Sequence, residues 1–295
     1  MTLSQFFHIS RRSVKSWLDD DASSMGAAIA FYTVFSIAPL LVIVIAVAGV
    51  VWEREAVQGE IVEQIGDVVG RDAAGTVQTL LQASAVSGSS LFATLVSIGV
   101  LLFGATRAFA ELQRALDRIW RVPPESKSGI VATVKTRLLS FGIIFTFAFL
   151  LVVSLVASAV VAAIGQWTND LLPAGAELLL QLLNLAISLF VTTTLFASIY
   201  RLMPRAAIAW RDVWVGAAVT AVLFEVGKML IGLYLGKSAT VSSFGAAGSL
   251  AVLLLWINYS AQIFLLGAEF TYAYASERGS HSAARATHEN TSAPA

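Results

Sequence analysis

An all-α fold that crosses a lipid bilayer six times, with both ends on the cytoplasmic side, is predicted by three features of this sequence. Of its 295 residues 57% are hydrophobic and 13% charged, well short of the roughly 25% charged residues from which soluble domains build a water-facing surface. Six apolar runs each have about the 20 residues that a helix rising roughly 1.5 Å per residue needs to cross the hydrocarbon. About 15 of the 19 Lys and Arg fall in segments that such a topology puts on one face, as the retention of basic loops in the cytoplasm requires.

Met1 to Leu18 carries Arg11, Arg12 and Lys15 and lacks the short apolar run and small-residue cleavage site of a secretory signal before Asp19, Asp20 and Asp21. The first apolar run is therefore expected to stay as an anchor. It covers Ala27 to Val51, with Tyr32 and Ser36 a turn or two ahead of Pro39. The proline predicts a bend there, which would turn polar groups into the bundle. In the outer connection, Glu53 to Ser90, Val57, Ile61, Ile65, Val68 and Val69 recur at helical spacing among Glu and Asp. This predicts an amphipathic helix on the outer surface or capping the bundle. The remaining spans are read at Leu91 to Ala110, Leu138 to Ile164, Leu178 to Tyr200, Val213 to Leu235 and Ala246 to Tyr272. Stretches such as Leu40 to Val51 show no alternation of apolar and polar residues, which separates them from barrel strands. Residues 1–275 are thus expected to form one transmembrane domain, and 276–295, rich in Ser, Ala and Thr, a disordered cytoplasmic tail.

The charges agree. Arg107, Arg114, Arg118, Arg121, Lys127, Lys135 and Arg137 surround the second connection, Arg201, Arg205 and Arg211 the fourth, and Arg278 and Arg285 the tail, against Arg54, Arg71 and Lys237 on the opposite side. Trp17, Trp120, Trp210 and Trp214 fall at inner edges and Trp52 and Trp167 at outer ones, the headgroup level that indoles favour. Trp256 falls mid-span, where packing between helices is its default role.

Several kinds of chemistry have no residues to perform them. There is no cysteine, and His8, His281 and His288 are all terminal, so neither thiolate chemistry nor an in-membrane histidine site can be assembled. No phosphate-binding glycine loop ending in Lys-Ser or Lys-Thr occurs, and 19 basic against 19 acidic residues leave no global field for nucleic acid. No cofactor, metal or nucleic-acid partner is expected.

The informative residues are polar ones inside apolar spans. Glu225 and Lys228 lie three apart in the fifth span, on one helical face. A lone charge at a span centre costs roughly 2.5 to 3.5 kcal/mol, whereas each Val, Leu, Ile or Phe returns about 0.3 to 0.6. The pair should therefore face protein or water, either as a pathway or as a self-neutralising ion pair that sets helix rotation. In the sixth span Asn258, Gln262 and Glu269 fall within about 40° of one another at roughly 100° per residue, a polar stripe. Counted from opposite faces, Glu225 and Asn258 reach similar depth, so a midplane polar site between the two helices is expected, with Tyr32 a further candidate. The competing reading makes Asn258 and Gln262 helix-to-helix hydrogen bonds and puts Glu269 near the inner headgroups. Gly232 with Gly236, and Gly216 with Thr220, suit close helix approach. The outer turn Ser242 to Ser249 is either a tight hairpin or a weak candidate for holding an anionic headgroup.

Ala28 to Leu41 (AIAFYTVFSIAPLL), Leu112 to Trp120 (LQRALDRIW), Tyr200 to Pro204 (YRLMP), Gly216-Ala217 with Phe224 to Lys228 (FEVGK), and Trp256 through Gly267-Ala268-Glu269 resemble, in this order, the YihY/virulence factor BrkB family of bacterial inner-membrane proteins. The resemblance implies a six-helix inner-membrane protein linked to envelope integrity, some members being suspected exporters or flippases of lipid-like molecules. Glu225, Lys228 and Glu269 match polar positions of the family's last two spans. The family's former label, ribonuclease BN, finds no metal-ligand cluster and no basic RNA groove here. Costly charge without a catalytic set predicts a transporter or flippase for an envelope lipid or other amphipathic substrate. The alternative is a non-enzymatic envelope scaffold, with envelope proteins or a second copy as partner.

Overall fold

In the computed structural model the chain is described over residues 2–48, 107–123, 176–206, 208–237 and 245–278, with scattered positions between 53 and 78. All regular structure among these residues is helical: α1 (Leu3–Asp19), α2 (Ala22–Ala48), α3 (107–119), α4 (Ala176–Leu202), α5 (Trp210–Lys237) and α6 (Gly245–Glu277). Three stretches, Leu185–Leu202, Trp210–Ile231 and Leu250–Glu277, are long and apolar enough to cross a membrane, and Ala22–Ser36 is a shorter apolar helix.

Four of the expected spans coincide with α2, α4, α5 and α6. Of the second only its end, 107–110, is described, as helix, and the third lies outside the described residues. In the first outer connection Ile61, Val62 and Glu63 are helical, while Val57, Ile65, Val68 and Val69 lie outside the described residues. The tail beyond Arg278 also lies outside them, as does the turn from Ser242 to Phe244. Helix α6 continues to Glu277, past the expected edge at Tyr272, because Glu277 is held by Arg12, Nη1 to Oε1 2.9 Å.

Helix α1 was not anticipated. Its backbone entry is closed by Gln5, whose Oε1 accepts the Thr2 N–H at 3.1 Å, the returning half of a capping box. It ends at Asp20, and Asp21 takes a left-handed φ of 53°, a conformation that short polar side chains tolerate best. The chain then turns directly into α2. Helix α2 continues unbroken through Pro39.

The chain divides into two compact units, residues 1–20, 116–225 and 266–295 forming the first, and 21–115 with 226–265 the second. In the first, Ile9, Phe270 and Ala273 form a buried cluster flanked by Val219 and Tyr274. There α5 and α6 meet through small residues. A Cβ at Gly216 would fall on Thr271 Oγ1, and one at Gly267 on Thr220 Oγ1, with Tyr200 Oη at 2.7 Å. Gly216 and Thr220 therefore serve close helix approach; Gly232 and Gly236 belong to α5, but their surroundings lie outside the described residues. In the second unit Ala30, Val34, Val77, Val252, Leu253 and Ile257 make the core, with Val62 and Trp256 packed against it. Trp256 thus has the packing role expected of it, and the connection after α2 contributes Val77 to the core.

Candidate functional site

Within α5, Val222, Leu223, Val226, Met229 and Leu230 are exposed, and their spacing places them on one lipid-suited face. Glu225 and Lys228 lie off that face and are half-buried. In the first unit Ser188 of α4 donates to Glu225 Oε1 at 3.4 Å.

The polar stripe of α6 falls into two environments. In the second unit Gln262 Nε2 donates to the Ser23 carbonyl at 3.1 Å and to Asn258 Oδ1 at 3.3 Å. Gly26 makes this approach of α2 feasible, since a Cβ there would collide with the Gln262 amide and sit 3.4 Å from Asn258 Oδ1. The two amides are thereby used in helix-to-helix bonding. Tyr32, also in this unit, is half-buried with its ring edge-to-face on Phe31 at 5.4 Å.

Glu269 belongs to the first unit and is 0% exposed. Among the described residues no N–H or hydroxyl donor reaches its carboxylate oxygens; its side-chain hydrogen-bond partner is the carboxyl group of Asp20. Its charged neighbours are Asp20, Arg121 and Arg12. Together with Glu269 of α6, these side chains arrive from three helices, α1, α3 and α6. Asp20, 6% exposed, caps α1. Arg121 ends α3 in a Schellman-type turn, its N–H on the Arg118 carbonyl at 3.0 Å and the Val122 N–H on that of Asp117 at 2.9 Å. Arg121 occupies the left-handed position of that turn, φ 54°, usually glycine's; a side chain there costs roughly 1 to 2 kcal/mol, and what it gains is reach. Its Nη1 donates to Asp20 Oδ1 at 2.6 Å, while Arg118 Nε lies 3.8 Å from the same oxygen. Its hydrogen bond to Asp20 raises the pKa of the Arg121 guanidinium above its ordinary range.

Two aromatic rings adjoin the cluster. Trp120 meets Tyr272 edge-on at 5.5 Å, and the Arg121 guanidinium lies 5.9 Å from the centre of the Tyr272 ring. Trp120 is 5% exposed, so its position is set by packing on Tyr272, whereas Trp210 and Trp214, 47% and 37% exposed, remain suited to headgroups. Beside the cluster Asp117 Oδ1 accepts the Arg205 N–H at 2.8 Å, fixing the turn after α4 to α3. Tyr200, 0% exposed, shares a 3.2 Å contact with Thr220, whose hydroxyl donates to the Gly216 carbonyl at 2.8 Å.

Sequence reasoning named Glu269 but missed its setting. Asp20 reads as one of three acids ending a soluble segment, and Arg121 as one more basic residue near the inner face; 101 positions separate them, and no local pattern joins them. Among the described residues no group of three or more His, Cys, Asp or Glu is placed to hold a metal ion.

Comparison with known proteins places these residues in context. The family model described as Virulence factor BrkB matches residues 13–292. A UPF0761 membrane protein of Stenotrophomonas maltophilia is 30% identical over 278 residues, covering 89% of this chain and 59% of its own. One from Vibrio parahaemolyticus is 28% identical over 250 residues, covering 83% and 75%. One from Azotobacter vinelandii is 26% identical over 258 residues, covering 86% and 60%. The chain thus spans about 60% of the length of two of these three relatives. No solved structure matches.

Proposed function

The chain belongs to the virulence factor BrkB family of membrane proteins, and from that premise we propose that it moves an envelope lipid or other amphipathic substrate across the bacterial inner membrane. The observation that carries this reading is Glu269, wholly buried in an apolar membrane helix and set against a second carboxyl group, that of Asp20, with no N–H or hydroxyl donor to its oxygens among the described residues. An intramembrane acid left in that state is expensive and marks an ion or substrate pathway more often than a structural joint. Glu269, and Glu225 with Lys228 on the same face of α5, are the candidate pathway residues, with Tyr32 a further candidate, whereas Asn258 and Gln262 serve as joints between helices.

The topology that accompanies this function has six spans and both termini in the cytoplasm. It is supported by the basic residues gathered at Arg12, Arg118, Arg121 and Arg205. Since the chain has no cysteine, single cysteines at Ser4 and Ser280 can be tested with an impermeant thiol reagent in sealed inside-out and right-side-out vesicles. Labelling of both only from the cytoplasmic side is expected.

Transport is tested with purified protein in vesicles carrying fluorescent phospholipid or lipid-linked substrate, with leaflet exchange read by dithionite quenching. Glu225→Gln and Lys228→Met should fold normally and slow exchange at least tenfold. If both leave exchange and the cell's envelope phenotype unchanged, the α5 part of the path is wrong. A second reading, a non-enzymatic scaffold for envelope assembly, is favoured by the amides, because Gln262 joins α6 to the Ser23 carbonyl. It predicts no exchange by the wild-type protein and a stable complex with another envelope protein or a second copy. The ribonuclease reading requires metal-dependent RNA cleavage by purified protein, and no residue set on these helices suggests it.

A further inference from the structure

The side of α1 that faces away from the protein has no explanation in transport. Leu3, Phe7, Val14 and Leu18 are 91%, 72%, 47% and 64% exposed, and at roughly 100° per residue they fall within about 60° of one another. They make an apolar stripe in two halves, Leu3 with Phe7 and Val14 with Leu18, with Ser10 and Arg11 at its edges between them. The opposite side is occupied: Ile9 and Ser13 are 1% exposed, Ile9 packs with Phe270 and Ala273, and Phe6 meets the Phe270 ring at 5.6 Å. Along one border of the stripe stand Arg11 and Lys15, both exposed.

Position decides what covers the stripe. The partners of α1 lie in the last turns of α6, the stretch Leu250–Glu277 that is apolar enough to span a membrane, and Arg12 pins α1 to Glu277 at the end of that stretch. A helix fastened where a span leaves the hydrocarbon lies at the depth of lipid headgroups. There an outward apolar stripe can enter the acyl boundary while flanking cations reach phosphate oxygens. Water would leave a long row of large apolar side chains exposed, which soluble surfaces avoid.

We propose that α1 is an interfacial helix that docks on a leaflet rich in anionic phospholipid, with Leu3, Phe7, Val14 and Leu18 immersed and Arg11 and Lys15 on the headgroup phosphates. Most of the helix precedes the residues matched by the family model, which begin at 13.

The full chain, free of native cysteine, is tested as Phe7→Cys, Val14→Cys and Asp19→Cys proteins carrying a nitroxide, in vesicles of phosphatidylcholine with or without phosphatidylglycerol. Accessibility to oxygen and to a water-soluble nickel chelate is read by electron paramagnetic resonance. The oxygen-to-nickel ratio should be several-fold higher at 7 and 14 than at 19, and should rise further with phosphatidylglycerol. Arg11→Gln with Lys15→Gln should remove that rise while leaving the label at 19 unchanged. Free access of nickel to positions 7 and 14 would mean a water-facing helix and overturn the proposal. Exclusion of both reagents, or spin–spin broadening between copies, would mean a protein partner and overturn it equally. Immersion indifferent to phosphatidylglycerol in the parent protein would overturn the preference for anionic lipid.

Discussion

Helix α6 carries polar side chains into both compact units, and the two treat them differently. In the second unit Gln262 spends its amide protons on the Ser23 carbonyl and Asn258; these are neutral groups with neutral partners, used to hold helices together. In the first unit Glu269 is buried against the carboxyl group of Asp20, which is itself ion-paired to Arg121, and no N–H or hydroxyl donor among the described residues reaches its oxygens. A neutral amide costs little to bury once bonded, whereas two carboxyl groups side by side cannot both ionise cheaply and persist by sharing a proton or by having cations close. The lesson is that polar residues on one helical stripe need not share a purpose: the amides behave as joints and the acid as a group kept ready for something else.

The largest effect that would sharpen this contrast is steric. Gly267→Ala in the first unit drives a methyl group onto Thr220 and Tyr200, a stiff β-branched residue and a wholly buried ring. A loss of about 3 kcal/mol is expected, visible as a large fall in melting temperature in detergent. Gly26→Ala in the second unit meets the end of the flexible Gln262 side chain, which can swing aside and forfeit its bond to Ser23. About 1 kcal/mol is expected there. Equal losses at the two glycines would mean that the second unit is packed as rigidly as the first.

Next in size is the ion pair. Asp20→Ala removes the acceptor of a 2.6 Å bond from Arg121, whose side chain is 46% exposed and can rehydrate. After allowance for that screening, about 1.5 kcal/mol is expected. Gln262→Leu, of similar volume, should lose about 1 kcal/mol or less, because an apolar side chain there leaves only the Ser23 carbonyl and the Asn258 amide to find new partners. Thermal unfolding of the two variants orders them, and a larger loss for Gln262→Leu would reverse the comparison.

Much of this architecture was legible beforehand, for a physical reason. Hydrocarbon demands long apolar runs and punishes charge, so α2, α4, α5 and α6, the packing of Gly216 with Thr220, and the placement of Glu225 and Lys228 off the apolar face of α5 all follow from local composition. What escaped was of two kinds. Helix α1 has the Thr2-Gln5 capping spacing and a periodic Leu3, Phe7, Val14 and Leu18, but a search for runs of about 20 apolar residues passes over an amphipathic helix. The Asp20–Arg121–Glu269 cluster is built from three distant segments, and pairing across such separations is set by tertiary packing alone. Positive-inside reasoning accounts for why arginines gather near one face; it is silent on which of them meets a carboxylate.

The smallest expected change in stability belongs to Glu269→Gln, and it is the most decisive for function. Glutamine keeps the size of the side chain and removes any demand for a buried charge, so the protein should melt within about 1 kcal/mol of the parent, and above it rather than below if the acid is a burden to the fold. If Glu269 lines the substrate path, lipid exchange in vesicles should nonetheless fall at least tenfold in this stable protein, while Gln262→Leu, a joint by the same comparison, should reduce exchange only in proportion to its folded fraction. A Glu269→Gln protein that melts several degrees lower would show the carboxylate to be a structural partner of Arg121 and Arg12, and the distinction between acid and amides would disappear.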